Sequence, residues 1–206
     1  MGIEILRDTR AGRMSGTEFR AFQRTRRKHE RWELIDGVPM MMVPPTIAHN
    51  HIAENFTRLL NDALARHDPA RFATQRAGLE LPPDNYKPEP DVAVIDANYE
   101  PGQRYIDRAY LLAEVISATD DVKVPGTNEN WIDRKRDLYL AHDPCEAIVI
   151  VEQDRMAVHL DVKTAQGWHY RRLGPEDELV LPAFGLRCAV TDLYQGTPLK
   201  PRSTGG

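Results

Sequence analysis

Apolar positions along the chain fall into two recurring patterns, one helical and one extended. In RWELIDGVPMMMVPP two apolar runs flank Asp36-Gly37, the signature of a β-hairpin closed by a tight turn, and Pro44-Pro45 ends its second arm. From about His49 to His67 the spacing of Ile52, Phe56, Leu59, Leu60, Ala63 and Leu64 is helical, and Asp68-Pro69 closes that helix. Upstream, Ser15-Gly-Thr-Glu18 has the form of a capping box ahead of Phe19 and Phe22, which predicts a short helix over about 16–26. FATQRAGLELPP reads as a strand of mixed polarity. PEPDVAVID, LLAEVIS and EAIVIVEQD contain nearly continuous apolar runs, the pattern of interior strands covered on both faces. A polar connection, ANYEPGQRYIDRA, separates the first two. The loop ATDDVKVPGTNEN leads into a helical pattern, WIDRKRDLYLAH, which stops at Asp143-Pro144. RMAVHLDV alternates, and short β segments punctuated by Gly and Pro complete the pattern.

These elements describe one α/β domain over residues 15–196, with an N-terminal arm (1–14) and a disordered tail (197–206). No repeat and no linker divides it. A chain of 206 residues with 41% hydrophobic and 28% charged residues can bury a proper core. Its net charge of −4 excludes a surface coated in positive charge, but a local basic patch is enough to hold nucleic acid. One such run exists: six bases lie between Arg20 and Arg31, opposed within that window only by Glu30. It is either a solvated face or a set of phosphate contacts. The start lacks the design of a signal peptide and no long apolar segment follows, so a cytoplasmic protein with no membrane contact is expected. Cys145 and Cys188, far apart and without CxxC spacing, read as buried free thiols.

The stretch from Asp84 to Asp121 carries nine acids against three bases, most of them in loops that need only water. Asp91 and Glu114 differ. Asp91 opens the run Val-Ala-Val-Ile, and Glu114 is enclosed by Leu111, Leu112, Ala113, Val115 and Ile116. A carboxylate in such surroundings is costly to desolvate unless it meets a cation or hydrogen-bond donors, and two on adjacent strands repel unless a shared metal relieves them. At about 100° per residue, Trp131, Lys135, Leu138 and Tyr139 share one side of their helix, with Lys135 in the middle. A lysine there either reaches an anion or snorkels to water. Two carboxylates and an amine suit a divalent metal and phosphodiester cleavage. A histidine-based metal site is the rival, built on His49-x-His51 with His142, His159 and His169. Residues two apart on a helix point away from each other, which disfavours it. Neither a GxxxxGK[ST] phosphate loop nor a GxSxG elbow occurs.

The order RWELIDG, a PP-x3-H turn into a helix, PD, xxEVIS and K-x3-Y before an apolar strand resembles the "Uma-two" family, a bacterial group described as endonucleases of the PD-(D/E)XK, restriction-endonuclease-like superfamily. The resemblance covers about Thr17 to Leu181. It implies a mixed central sheet flanked by helices, with further antiparallel β segments towards the N- and C-terminal sides. It also implies a Mg²⁺-dependent nuclease, with Mn²⁺ as substitute, acting on nucleic acid, DNA before RNA, and working as a homodimer where two strands are cut. Carried over residue by residue, Asp91 and Glu114 are the metal-holding acids, with the carbonyl of Val115 as a third donor. The superfamily's strand lysine is absent, because Ile116 stands two residues after the glutamate; Lys135 on the following helix takes its place. Trp131 stands four residues before Lys135, where the family often has Asp. Glu33 matches a family position either beside the metal or capping its strand. His49 matches the histidine that opens the second helix, as a phosphate contact, a proton shuttle or the helix cap, and Tyr139 is placed in a supporting or phosphate-contacting role. The alternative function is a nuclease fold without catalysis that binds nucleic acid or protein.

Overall fold

The computed structural model describes residues 13–82, 84–117, 122–124 and 126–201. Residues 1–12, 83, 118–121, 125 and 202–206 therefore lie outside the described residues, including nearly all of the expected N-terminal arm.

Helix α1 (Gly16–Arg24) starts at the capping box: Ser15 accepts from the Glu18 N–H, and Glu18 accepts from the Ser15 N–H at 2.8 Å. Strands β1 (Arg31–Ile35) and β2 (Val38–Met42) form the expected hairpin. Its turn residues Asp36 (φ 51°) and Gly37 (φ 75°) both take the left-handed conformation that a tight two-residue hairpin demands. Helix α2 (Ile47–His67) begins two residues before the helical spacing predicts. Its cap is Thr46, whose hydroxyl accepts from the His49 N–H at 3.1 Å, so His49 sits inside the first turn and is not the capping residue.

The main sheet has the order β10-β9-β8-β7-β5-β3, built from β3 (Arg71–Thr74), β5 (Val92–Asp96), β7 (Leu111–Ile116), β8 (Ala147–Glu152), β9 (Ala157–Thr164) and β10 (Gly167–Leu173). Only the β7–β8 pair is parallel, and helix α3 (Trp131–Leu140) supplies the crossover that parallel neighbours require. The polar connection after β5 holds an element its composition hides: β6 (Tyr105–Ile106) pairs parallel with β4 (Gly78–Leu79). Strands β11 (Glu178–Leu181) and β12 (Leu186–Ala189) form a small antiparallel sheet at the C-terminal side.

Alternation along the central strands divides the core in two. Val92, Val94, Leu111, Ala113 and Val115 face α2 and the C-terminal β segments. Ala93, Ile95, Leu112, Ile148 and Ile150 face α3 and the hairpin. Glu114, in register with Leu112, therefore points into the α3 side of the sheet. A third, smaller cluster joins α1 to β1 through Phe19, Trp32 and Leu34. Both cysteines are free and buried. Beyond β12, Thr197 is buried and its hydroxyl donates to the Tyr194 carbonyl at 2.7 Å, while Gly196 N–H donates to Lys200 O. The polar composition from 197 onward suggests a disordered tail, but up to Pro201 the chain folds back on this turn. No helix among the described residues is long and apolar enough to cross a membrane.

Candidate active site

Three elements bring their polar side chains to one place on the α3 side of the sheet. Glu33 comes from β1, Glu114 from β7, and Lys135 and Tyr139 from α3, whose buried face is Trp131, Lys135, Leu138 and Tyr139. The Lys135 ammonium, with no exposed surface, lies 2.7 Å from Glu114 Oε1 and 3.2 Å from Glu33 Oε1. The Tyr139 hydroxyl donates to Glu114 Oε1 at 2.6 Å. Trp131, one turn before Lys135, lays its ring 4.3 Å from the ammonium, so the residue that replaces the family's usual acid helps to hold the cation by its π face.

Asp91 closes the arrangement from the mouth of β5. Its Oδ2 accepts the Val115 N–H at 2.9 Å, and its Oδ1 lies 3.0 Å from His49 Nε2. Val115 thus meets the site through its N–H. Asp91 and His49 are the solvent-facing members, with side chains 14% and 16% exposed, whereas Glu33, Glu114 and Lys135 are enclosed. Glu33 is held from the other side as well. The backbone of Lys87 bonds both ways with Leu34, extending the hairpin, and this carries the Glu89 N–H to Glu33 Oε1 at 3.0 Å. Glu89 itself pairs with Arg31. The sequence carries no local signal for this strap, because Lys87 and Glu89 lie more than fifty residues from Leu34 and Glu33. Asp84 and Asp96 are also engaged, with Lys87 and Tyr110 respectively.

Burial and charge push the two metal-type acids in opposite directions. Burial raises the Glu114 carboxyl, and the neighbouring Asp91 and Glu33 charges add to it, so that it reaches about 8 despite Lys135. Glu33 is likewise raised by burial against the pull of Lys135. Burial also pushes Asp91 up, but the His49 contact and the Val115 N–H outweigh it and hold Asp91 below the ordinary range. For Lys135, burial favours the neutral amine, yet Glu114 and Glu33 keep the ammonium above its usual value. Burial and the adjoining carboxylates lift Tyr139 well above the phenol range, so it remains a donor. A pair of carboxyls driven apart in this way can divide acid and base roles.

Among the described residues no group of three or more His, Cys, Asp or Glu side chains is arranged to hold an ion. The histidines of the rival centre have separate partners: His51 stands near Glu54, His142 accepts from the Ala109 N–H, and His159 lies between Glu152 and Tyr170. Magnesium-type ions are commonly held by one or two carboxylates and keep several waters, and Asp91 with Glu114 fits that requirement.

A family model described as Uma2, "Putative restriction endonuclease", matches residues 17–191. The chain belongs to the Uma2 family. Among solved structures, a nuclease titled as putative and "belonging to DUF820" from Anabaena variabilis superposes with a TM-score of 0.67 at 14% identity, covering 88% of this chain and 97% of that one. That likeness concerns the fold, which is restriction-endonuclease-like: a mixed six-stranded sheet with helices and small antiparallel sheets. No curated protein matches the sequence. Within the Uma2 frame, the cluster of Glu33, Asp91, Glu114 and Lys135 falls inside the matched region.

Proposed function

We propose that this Uma2 protein is a metal-dependent nuclease that hydrolyses phosphodiester bonds of nucleic acid, DNA before RNA. Family membership supports nuclease chemistry, and the convergence of Lys135 with Glu114 and Glu33 beside Asp91 is the observation that carries the reading. Asp91 and Glu114 would hold a Mg²⁺-type ion, with Mn²⁺ as substitute and the Val115 carbonyl as a further donor. When bound, such an ion lowers the pKa of a water and offsets charge on the phosphate.

The chain's own groups divide the remaining work. Asp91, kept ionised by His49 and the Val115 N–H, presents negative charge at the solvent-facing mouth. Lys135, kept protonated, supplies a positive charge that stabilises a developing oxyanion or orients a water. Glu33 and Tyr139 lock the ammonium and Glu114 in place, and His49 stands where a proton or a phosphate oxygen can be met. The test is a panel of duplex and single-stranded DNA and RNA incubated with Mg²⁺ or Mn²⁺. Cleavage of none of them ends the proposal.

A second reading is a nuclease fold used only for binding. It is favoured by Ile116 at the superfamily's lysine position and by Lys135 and Tyr139 both occupying Glu114 Oε1. Calorimetric titration separates the two, since a vacant module shows no Mg²⁺ binding that depends on Asp91.

A further inference from the structure

Beside the hairpin lies a cleft of about 1140 Å³. One wall is α1 with the loop that follows it and the start of β1. The other is formed by β3, β4 and the loop from Tyr99 to Ile106. Seven arginines and one lysine line it against two acids, Glu30 and Glu89, in a chain whose net charge is −4. The basic run read from the sequence is therefore gathered onto one wall, and Arg76 and Arg104 face it from the other.

Two features show that these charges are available to a ligand. Among the described residues Arg24, Arg27, Lys28 and Arg104 have no acidic partner, and all four are exposed. Arg20 pairs with Glu80 yet leaves its Nε buried without a hydrogen-bond partner. Cations left unpaired around a concavity match a polyanion in charge.

The same walls carry aromatic surface. Tyr99 is 59% exposed, with its ring centroid 5.5 Å from that of Phe72. On the same wall, Tyr105 lies beneath the Arg20 guanidinium at 5.4 Å, and its hydroxyl donates to Gln23 of α1. Interleaved cations and aromatic faces are the equipment of grooves that hold unpaired bases, where each stacked base adds sequence-tolerant affinity. A duplex keeps its base faces stacked on one another and offers Tyr99 none. The volume also suits a few nucleotides of one strand, since pockets of roughly 300–1,000 Å³ enclose drug-sized ligands.

The cleft neighbours the acidic site through one lining residue. Arg31 and Glu89 pair in its lining; the Glu89 N–H holds Glu33, and Asp91 follows two residues later. Arg76 N–H donates to the Pro90 carbonyl beside Asp91.

We propose that this cleft binds an unpaired strand of nucleic acid, with Arg24, Arg27 and Lys28 on its phosphates and Tyr99 stacked on a base. The strand leads towards Asp91, so the inference rests on the nuclease reading for its purpose, though not for the binding itself. Fluorescence anisotropy of the full chain in EDTA tests it, with a short labelled oligothymidylate, a blunt hairpin duplex and polyglutamate as competitor. The single strand binds about tenfold or more tighter than the duplex, and polyglutamate fails to displace it. Tyr99→Ala weakens single-strand binding by about tenfold, the loss of one stacked base, while Tyr99→Phe retains it. Arg27→Gln lowers the slope of log affinity against log salt by about 0.7. Duplex binding as tight as single-strand binding, displacement by polyglutamate, or an unchanged affinity in Tyr99→Ala overturns the proposal. Because no metal is present, binding without cleavage elsewhere sinks only the nuclease reading, and cleavage without single-strand preference sinks only this one.

Discussion

Lys135 Nζ lies 2.7 Å from Glu114 Oε1 although the two side chains come from different layers, one from helix α3 and the other from the strand beneath it. The contact ties the crossover helix to the sheet at the point where the chemistry is proposed to occur. It also balances charge in an enclosed region, since Glu33 is the ammonium's second neighbour.

Removing that cation leaves two buried carboxyls facing each other. Lys135→Met is expected to lose about 3–5 kcal/mol of stability at neutral pH, the usual cost of breaking an enclosed ion pair from one side. Adding Glu33→Gln and Glu114→Gln to it restores part of the loss. Urea unfolding of the single and triple variants measures both effects.

Tyr139→Phe keeps the ring that fills the α3 side of the core and deletes only the donor to Glu114. A loss of about 1–3 kcal/mol follows from the deleted hydrogen bond, with Lys135 still on the same oxygen, together with reduced cleavage. Thermal unfolding and nicking rates on the same preparation check the two parts.

Arg136, next to Lys135 in sequence, grips the buried Asp161 of β9 with two hydrogen bonds, Nε to Oδ2 at 2.7 Å and Nη2 to Oδ1 at 2.5 Å. Arg136→Leu strands that carboxylate and loosens the helix that carries Lys135. A destabilisation of about 2–4 kcal/mol is expected, below the fully buried limit because the guanidinium is partly exposed. Arg136→Leu with Asp161→Asn recovers much of it.

His142 is buried and accepts from the Ala109 N–H, which requires the neutral imidazole. Burial lowers its pKa below the ordinary 6.5. Between the lowered folded value and 6.5 the unfolded chain binds a proton that the folded chain refuses, so this contribution to stability is complete above 6.5 and is lost as pH falls through the folded value. Stability measured from neutral to acid pH should fall less steeply in His142→Gln, whose side-chain oxygen can still accept the Ala109 N–H, than in the parent.

Much of the fold could be read locally. Asp36-Gly37 announced its turn because few residues tolerate two successive positive φ values, and α3 announced its buried face because Trp131, Lys135, Leu138 and Tyr139 keep helical spacing. Asp91 and Glu114 stood out because apolar neighbours surround them. What stayed hidden depends on partners distant in sequence. Glu33 and Lys135 are 102 residues apart, and nothing near either one names the other. His49 read equally as a cap or a shuttle until Thr46 took the capping position and Asp91 met the imidazole. The strand at Tyr105–Ile106 was invisible in a polar connection because two residues are too few to show alternation.

Asp91, ionised at the open edge of a site built around Lys135, is proposed to support metal-dependent cleavage of nucleic acid. The most direct measurement is the nicking and digestion of plasmid and single-stranded DNA by the parent and by Asp91→Asn, each with Mg²⁺ and with EDTA. The account predicts cleavage by the parent only with Mg²⁺, and loss of that cleavage in Asp91→Asn while the variant remains folded by circular dichroism. Cleavage that persists undiminished in folded Asp91→Asn, or no cleavage by the parent with either Mg²⁺ or Mn²⁺, would contradict it.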